Sequence, residues 1–212
     1  TITDTAKTGK IRDGKIFDHD KDCDIGLLNT SQDELEGIIK EICTGTKIIA
    51  PCMVTETKEQ RSDYIPVYDT ETNSVVDIFV FRTEDLSTTA SLKHNFGNFR
   101  WRYSNFDLSK QSFGSDEFFI PTNSERFLEE TYGNDWKIPN EQYDGLMESP
   151  NILDSSTVTA KLFALSRGSF HLRAGDFEKA RYYFEHALQR GSKVGGVLEK
   201  IDYLKSKWSK PV

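Results

Sequence analysis

The sequence predicts an α+β protein in two parts: a β-sheet with flanking helices over residues 1–155, and a small all-helical tail over residues 156–212. In the first part, several short segments alternate apolar and polar residues, the pattern of half-buried strands. After residue 156, apolar residues recur at intervals of three and four, the spacing of an amphipathic helix. The composition changes near residues 152–156, where we place the domain boundary.

The bulk composition is that of a folded protein with an acidic surface. Of the 212 residues, 36% are apolar and 29% are charged, and the formal net charge is −7. This balance is typical of globular rather than disordered chains. Because an acidic surface repels nucleic-acid backbones, we expect no nucleic-acid partner.

The cysteine content and the hydropathy pattern predict a cytoplasmic protein, and any association with a membrane is expected to occur through partners. The three cysteines form no Cys-x-x-Cys pair, so neither a zinc site nor a disulfide framework is expected. That usage favours a reducing compartment. No run of 18 apolar residues is present, and residues 1–10 lack the apolar stretch of a signal peptide.

Local signals predict the elements of the first half of the chain in order. Residues 16–28 are expected to form a strand. Ser31 and Glu34 have the spacing of a capping box, which starts a helix of about a dozen residues. Residues 47–54, 64–68 and 74–82 are expected to be strands, and the turn at residues 70–73 joins the last two in a hairpin.

The second half of the chain is predicted to pass from strands to helices. Residues 94–120 are rich in aromatic side chains and fit short strands and turns. A helix is expected from Pro121 to Tyr132, with Gly133 as its natural end. Residues 134–156 are read as loop, and residues 157–208 as helical throughout, with a last amphipathic helix over residues 197–208.

An acidic strand in residues 17–28 is the most informative segment for function. Asp18, Asp20, Asp22 and Asp24 occupy every second position, so in a strand they share one face. Ionised carboxylates held together repel, and burial makes the repulsion worse. A bound hard cation removes this cost, and Mg²⁺ prefers oxygen ligands. We therefore predict a site for Mg²⁺ or Mn²⁺.

The acidic segment has two other possible interpretations. A solvated acidic loop has the same composition. An EF-hand loop needs glycine at its sixth position. Counting from Asp18 that position is Cys23, and counting from Asp20 it is Ile25, so the EF-hand interpretation fails in both registers.

Asp77 is a third candidate ligand. It lies within the apolar segment 74–82, where an isolated acid is costly unless it is paired or ligated. On a strand adjacent to Asp22 and Asp24 it would complete a three-carboxylate site. The alternative is an exposed position on an edge strand.

Residues before and within the acidic segment are candidates for substrate binding. The guanidinium fork of Arg12 suits a phosphate oxygen, and Gly9 and Gly14 allow close approach of the backbone. His19 and Lys21 alternate with the acids and are candidate substrate contacts. For all of these side chains, an ordinary surface position is the alternative.

The stretch from Gly9 to Gly26, G-K-I-R-D-G-K-I-F-D-H-D-K-D-C-D-I-G, resembles the LicD/fukutin family of phosphotransferases. That family has a Gly-x-x-Arg turn, an Asp-x-Asp strand and a third Asp in a later strand, which here match Gly9, Arg12, Asp22, Asp24 and Asp77. The resemblance implies a nucleotidyltransferase-like mixed sheet with flanking helices.

A second block, within residues 119–151, is similar to the C-terminal signature of the same family. The signature has a proline, a helix ending in Tyr-Gly, a tryptophan, a proline, an aromatic-Asp pair and a Ser-Pro-x-Asn-like end. The matching residues are Pro121, Tyr132, Gly133, Trp136, Pro139, Tyr143, Asp144, Ser149, Pro150 and Asn151. Two ordered blocks are more specific than an Asp-x-Asp alone.

The resemblance implies the transfer of a phosphorylated alcohol from a CDP-activated donor to a glycan hydroxyl, with release of CMP. The donor would carry ribitol phosphate, glycerol phosphate or phosphocholine. Asp22, Asp24 and Asp77 would hold the cation on the diphosphate, and Asp77 would serve either as the third ligand or as the base. Arg12 would hold a phosphate of the donor. The reaction would belong to the synthesis of a surface polysaccharide.

One departure from the family pattern concerns the residues before this first block. Family members carry Gly-Ser or Gly-Thr just before the Gly-x-x-Arg turn, where this chain has Thr5 and Ala6. This departure favours the second of two alternatives to the transferase that stay open. One is a nucleotidyltransferase that deposits a nucleoside monophosphate on its acceptor, and the other is a degenerate transferase that serves as an interaction scaffold.

The helical tail resembles one tetratricopeptide repeat over residues 161–191. Small and aromatic residues stand at repeat spacing: Gly168, Gly175, Asp176, Phe177, Ala180, Phe184, Ala187 and Leu188. One such repeat cannot bury its apolar face alone. It is therefore expected to pack on the rest of the chain, to bind a protein partner, or to mediate self-association.

Overall fold

The computed structural model describes residues 22–44, 46–50, 63–94, 96–113, 116–140, 142–153 and 157–208. Strands and helices both contribute extensively, so the predicted α+β class is confirmed. Within these ranges there are nine strands and five helices: β1 (Asp22–Leu28), α1 (Gln32–Cys43), β2 (Ile48–Ile49), β3 (Tyr64–Asp69), β4 (Ser74–Thr83), β5 (Ser87–His94), β6 (Gly97–Ser104), β7 (Leu108–Phe113), β8 (Asp116–Pro121), α2 (Ser124–Tyr132), β9 (Ile152–Leu153), α3 (Val158–Ala174), α4 (Phe177–Gln189) and α5 (Gly195–Trp208).

The chain forms two compact units. The first contains residues 1–93 and 100–139, and the second contains residues 94–99 and 140–212. This division concerns packing alone, and the domain limits given above, 1–155 and 156–212, stay a prediction. None of the helices in the described ranges is long and apolar enough to cross a membrane.

The main sheet is mixed. Its strands follow the order β2-β3-β4-β5-β6-β9, and β1 pairs with β4. The β1–β4 pair is parallel, whereas β2–β3, β3–β4 and β4–β5 are antiparallel. Strands β7 and β8 form a separate antiparallel pair.

Helix α1 begins at the predicted capping box. The Glu34 amide donates to Ser31 Oγ at 3.2 Å, and the Ser31 amide donates to Glu34 Oε2 at 2.8 Å. The helix buries Leu35 and Ile39 almost completely against one face of the sheet. The core on that face is formed by Leu35, Ile39, Ile65, Val67, Ile78 and Val80, with Ile25 and Leu27 packed against it.

The predicted β3–β4 hairpin is confirmed. Asp69 pairs with Ser74 across the turn. The Asp69 carboxylate accepts from the Glu71 amide at 2.9 Å and from Thr72 Oγ1 at 2.6 Å. Asn73 takes a left-handed conformation with φ of 58°, which asparagine tolerates better than most residues.

Helix α2 starts later than predicted. Pro121 is the last residue of β8, and the helix begins at Ser124. Asn123 is the cap, because its side chain accepts from the Arg126 amide at 3.2 Å. The predicted end is confirmed: Gly133 follows the helix with φ of 95°, and its amide donates to the Glu129 carbonyl at 2.8 Å.

The second unit contains the helices of the predicted tail. Gly175, with φ of 79°, ends α3, and the Asp176 side chain caps α4. Gly168 lets α3 approach α4 closely, since a Cβ there would lie 3.1 Å from the Phe184 ring. The last helix spans Gly195–Trp208, two residues longer at its start than expected. The tetratricopeptide assignment stays a resemblance.

Candidate functional site

The candidate site lies where β1 and β4 run side by side. In their parallel register Asp24 is the partner of Asp77, and Asp22 is the partner of Val75. Side chains alternate between the two faces of a strand. Since Ile25 and Ile78 pack into the core beneath α1, Asp24 and Asp77 belong to the opposite face of the sheet.

The two aspartates form a half-buried pair of like charge. Neighbouring strands are about 4.8 Å apart, so side chains at partnered positions on one face are close neighbours. Asp24 and Asp77 are each partly exposed. Carboxylate oxygens are the donors that Mg²⁺ and Mn²⁺ prefer, and a cation would offset the repulsion between the two groups. The chemistry of this donor set therefore fits the predicted cation.

Asp22, the remaining predicted ligand, is placed only through its backbone. Asp22 lies two residues before Asp24 on β1, so the two positions belong to the same face of the strand. The side chain of Asp22 lies outside the described part of the structure. Among the side chains that are described, no group of three or more His, Cys, Asp and Glu residues is arranged to hold a metal ion. The three-carboxylate site stays a prediction.

Tyr64 is a member of this site that the sequence reasoning missed. Its hydroxyl donates a hydrogen bond of 3.0 Å to Asp77 Oδ1. The hairpin turn contained the signal needed to find it. Counting back from the Asp69–Ser74 pair makes Pro66 the partner of Asp77, and Tyr64 shares the face of Pro66.

Burial and the acidic side chains of the site raise the pKa of the Tyr64 phenol. Burial raises its pKa, and the negative charge of Asp77 raises it further. The negative charge of Asp24 acts on the Tyr64 pKa in the same direction. Tyr64 is therefore protonated at neutral pH and acts as a donor to Asp77.

An aromatic wall adjoins the acidic pair on the same face. The Tyr64 ring lies 5.1 Å from the Phe79 ring, measured between centroids.

The aromatic side chains continue along this face next to Gly26, the β1 residue that follows Asp24 on the same face. Gly26 leaves room for Phe81, because a Cβ there would lie 2.9 Å from the Phe81 ring. Beyond it, the rings of Tyr103 and Phe127 stack at 4.5 Å.

The end of β1 is anchored to β4. Asn29 has φ of 55°, and its amide donates to the Phe81 carbonyl at 2.8 Å. Its side chain accepts from the Thr83 amide at 2.7 Å and donates to Thr83 Oγ1 at 3.1 Å. These bonds hold β1 and β4 in the register that aligns Asp24 with Asp77.

Asp63, another aspartate of the first unit, has a structural role. Asp63 is 6% exposed. Its carboxylate accepts from Arg82 Nε at 2.7 Å and from Ser91 Oγ at 2.6 Å. Because both oxygens are bound by side chains of neighbouring strands, Asp63 is not a candidate ligand.

Residues of the second predicted block fasten a loop to α4 in the second unit. Asp144 Oδ2 accepts from the Tyr183 hydroxyl at 2.6 Å, and Asp144 Oδ1 accepts from the Leu146 amide at 2.8 Å. Ser149 Oγ donates to Asn151 Oδ1 at 2.6 Å. Asp144, Ser149 and Asn151 therefore have structural roles in this part of the second unit.

The other predicted site residues are Gly9, Arg12, His19 and Lys21, together with Asp18 and Asp20 of the acidic segment. All six lie outside the described residues. Their roles in phosphate and substrate binding stay predictions.

Comparison with known proteins gives no assignment: no protein-family model matches the chain, and no curated protein matches it.

Proposed function

We propose that this chain is a divalent-metal-dependent phosphotransferase of the LicD/fukutin type. It would transfer ribitol phosphate, glycerol phosphate or phosphocholine from a CDP-activated donor to a glycan hydroxyl, with release of CMP. The single observation that supports this most is the alignment of Asp24 with Asp77 on the sheet face opposite α1.

The proposed roles follow from the charges. Asp22, Asp24 and Asp77 hold Mg²⁺ or Mn²⁺, which supplies positive charge to the donor diphosphate. Phosphoryl-type transfer depends mainly on positioning and on neutralising charge. Asp77 is alternatively the base that accepts the proton of the acceptor hydroxyl. Arg12, with Gly9 in its turn, binds a phosphate, and His19 and Lys21 contact substrate.

The cellular setting is part of the same proposal. A CDP-activated donor is a cytoplasmic metabolite in this scheme, and the product is a precursor of a surface polysaccharide. Binding of a protein partner or self-association through the helical tail belongs to the proposal because a single repeat of this kind cannot bury its apolar face alone.

The test is ligand-dependent thermal stability followed by product analysis. The chain would be melted with Mn²⁺ alone and with Mn²⁺ plus CDP-ribitol, CDP-glycerol or CDP-choline. We expect one donor to raise the melting temperature above the value with Mn²⁺ alone. The proposal is wrong if no donor does so and if Mn²⁺ binding is unaffected by Asp24→Asn and Asp77→Asn.

Product analysis separates the proposed reaction from the nucleotidyltransferase alternative. Release of CMP with a phosphate-linked acceptor supports the transferase. Release of pyrophosphate with a nucleotidylated acceptor supports the alternative. The scaffold interpretation predicts that Asp22→Ala and Asp24→Ala leave the cellular function intact.

A further inference from the structure

Tyr64 reaches the candidate cation site from a third strand. It stands on β3 opposite Phe79, while Pro66 stands opposite Asp77. The side chain extends along the sheet face, and its hydroxyl donates to Asp77 Oδ1 at 3.0 Å. Its ring packs at 5.1 Å from that of Phe79. Tyr64 is thus held at both its ring and its hydroxyl.

This contact restricts the orientation of a candidate ligand. A carboxylate that accepts a hydrogen bond on one oxygen has lost part of its rotational freedom, and the donor favours its ionised form. Groups that hold a metal ligand in this way typically contribute about 10- to 100-fold to metal affinity. The half-buried position of Tyr64 argues for the lower end of that range.

We propose that Tyr64 is a positioning residue for the cation site: its hydroxyl binds one oxygen of Asp77 and holds this carboxylate beside Asp24. The inference rests on the proposed function, because it assumes that Asp77 is a cation ligand. It adds a residue of β3 to a site that otherwise draws its ligands from β1 and β4.

The test compares Mn²⁺ binding to four forms of the full chain by isothermal titration calorimetry: wild type, Tyr64→Phe, Tyr68→Phe and Asp77→Asn. Tyr64→Phe keeps the ring and removes only the hydroxyl. Tyr68 is the matched control, since it lies on the same strand and face but pairs with Val75. We expect Tyr64→Phe to weaken Mn²⁺ binding about tenfold, Tyr68→Phe to leave it unchanged, and Asp77→Asn to abolish it.

Failure of this inference differs from failure of the proposed function. If the wild type binds Mn²⁺ and Asp77→Asn does not, but Tyr64→Phe binds as tightly as the wild type, the positioning role of Tyr64 is wrong and the cation site stands. If the wild type does not bind Mn²⁺, or if Asp77→Asn binds equally well, the cation site itself is wrong and the role of Tyr64 falls with it.

A second measurement uses the wild-type fold and covers the case in which Tyr64→Phe does not fold. Because the Tyr64 hydroxyl contacts Asp77 directly, Mn²⁺ binding should perturb a tyrosine in the ultraviolet difference spectrum. The perturbation should be present in Tyr68→Phe and absent in Asp77→Asn. Tight Mn²⁺ binding without any tyrosine perturbation would overturn the inference.

Discussion

Asp24 on β1 and Asp77 on β4 are direct partners in a parallel strand pair, although 52 residues separate them in the sequence. The pair is held in register by Asn29, which bonds to Phe81 and Thr83 just beyond the end of β1. The core beneath α1 occupies the other face of both strands. The acidic residues are therefore presented by a part of the sheet that is structurally well supported.

Removing either carboxylate should remove stabilisation by Mn²⁺. At a concentration about 100 times the dissociation constant, a bound ion contributes about 2.7 kcal/mol, or about 5 to 10 °C in melting temperature for a chain of this size. We expect this rise in the wild type and its loss in Asp24→Asn and Asp77→Asn, measured by differential scanning fluorimetry. Asp85→Asn, at an exposed position, is the control. An equal rise in all four proteins would count against the site.

Gly26→Ala should destabilise the first unit. The added Cβ would lie 2.9 Å from the Phe81 ring, so either the ring or β1 must shift. Overpacking of this kind typically costs about 1 to 3 kcal/mol. The free energy of unfolding, from urea titration, measures the effect.

Gly37→Ala is the matched control, with the opposite expected sign. Gly37 lies within α1, and no atom lies within 4 Å of a Cβ placed there. Alanine in a helix interior is favoured over glycine by about 0.5 to 1 kcal/mol. If Gly26→Ala were as stable as Gly37→Ala, the close packing of β1 against Phe81 would be incorrect.

Tyr183→Phe should loosen the loop at Asp144 in the second unit. Burial raises the pKa of Tyr183 to about 12, with a further contribution from its bond to Asp144, so the hydroxyl is a donor at neutral pH. Loss of a hydrogen bond to a charged group costs about 1.5 to 3 kcal/mol. We expect a loss in that range in urea unfolding, whereas Tyr203→Phe on the 49% exposed Tyr203 should change little. A similar free energy of unfolding in both variants would contradict the structural role assigned to Asp144.

Acidification should destabilise the second unit through His171 and His186. Burial lowers the pKa of both imidazoles below 6.5. The positive charge of Arg167 lowers the pKa of His171 further, and that of Arg190 lowers the pKa of His186 further. Asp176 and Lys179 also face His171, with opposite effects on its pKa.

The sign of the pH effect follows from proton binding. Because the folded-state pKa lies below the unfolded value of 6.5, the unfolded chain binds more protons, and stability falls as pH decreases through about 6.5. Urea unfolding between about pH 7.5 and pH 5.5 should show this fall, and His171→Asn should make it shallower. An unchanged slope in His171→Asn would show that this imidazole is not the cause.

Several elements could be predicted from the sequence because their signals are local. The capping box of Ser31 and Glu34, the turn at residues 70–73 and the stop at Gly133 all depend on contacts within a few residues, and all three are confirmed. The start of α2 was predicted wrongly at Pro121. Proline is favoured in a first helical turn, but here the pairing of β8 with β7 holds Pro121 in a strand.

The amino-acid sequence by itself determined which side chains share a face, because the alternation of a strand places Asp22 and Asp24 together and separates them from Ile25. It also determined that α1 has one apolar face, and that face forms the core. Only the tertiary structure decided that β4 is the parallel neighbour of β1, that Asp77 aligns with Asp24, and that Tyr64 bonds to Asp77. The physical reason is that periodicity specifies the face of a strand but not its neighbour, which depends on contacts between distant segments.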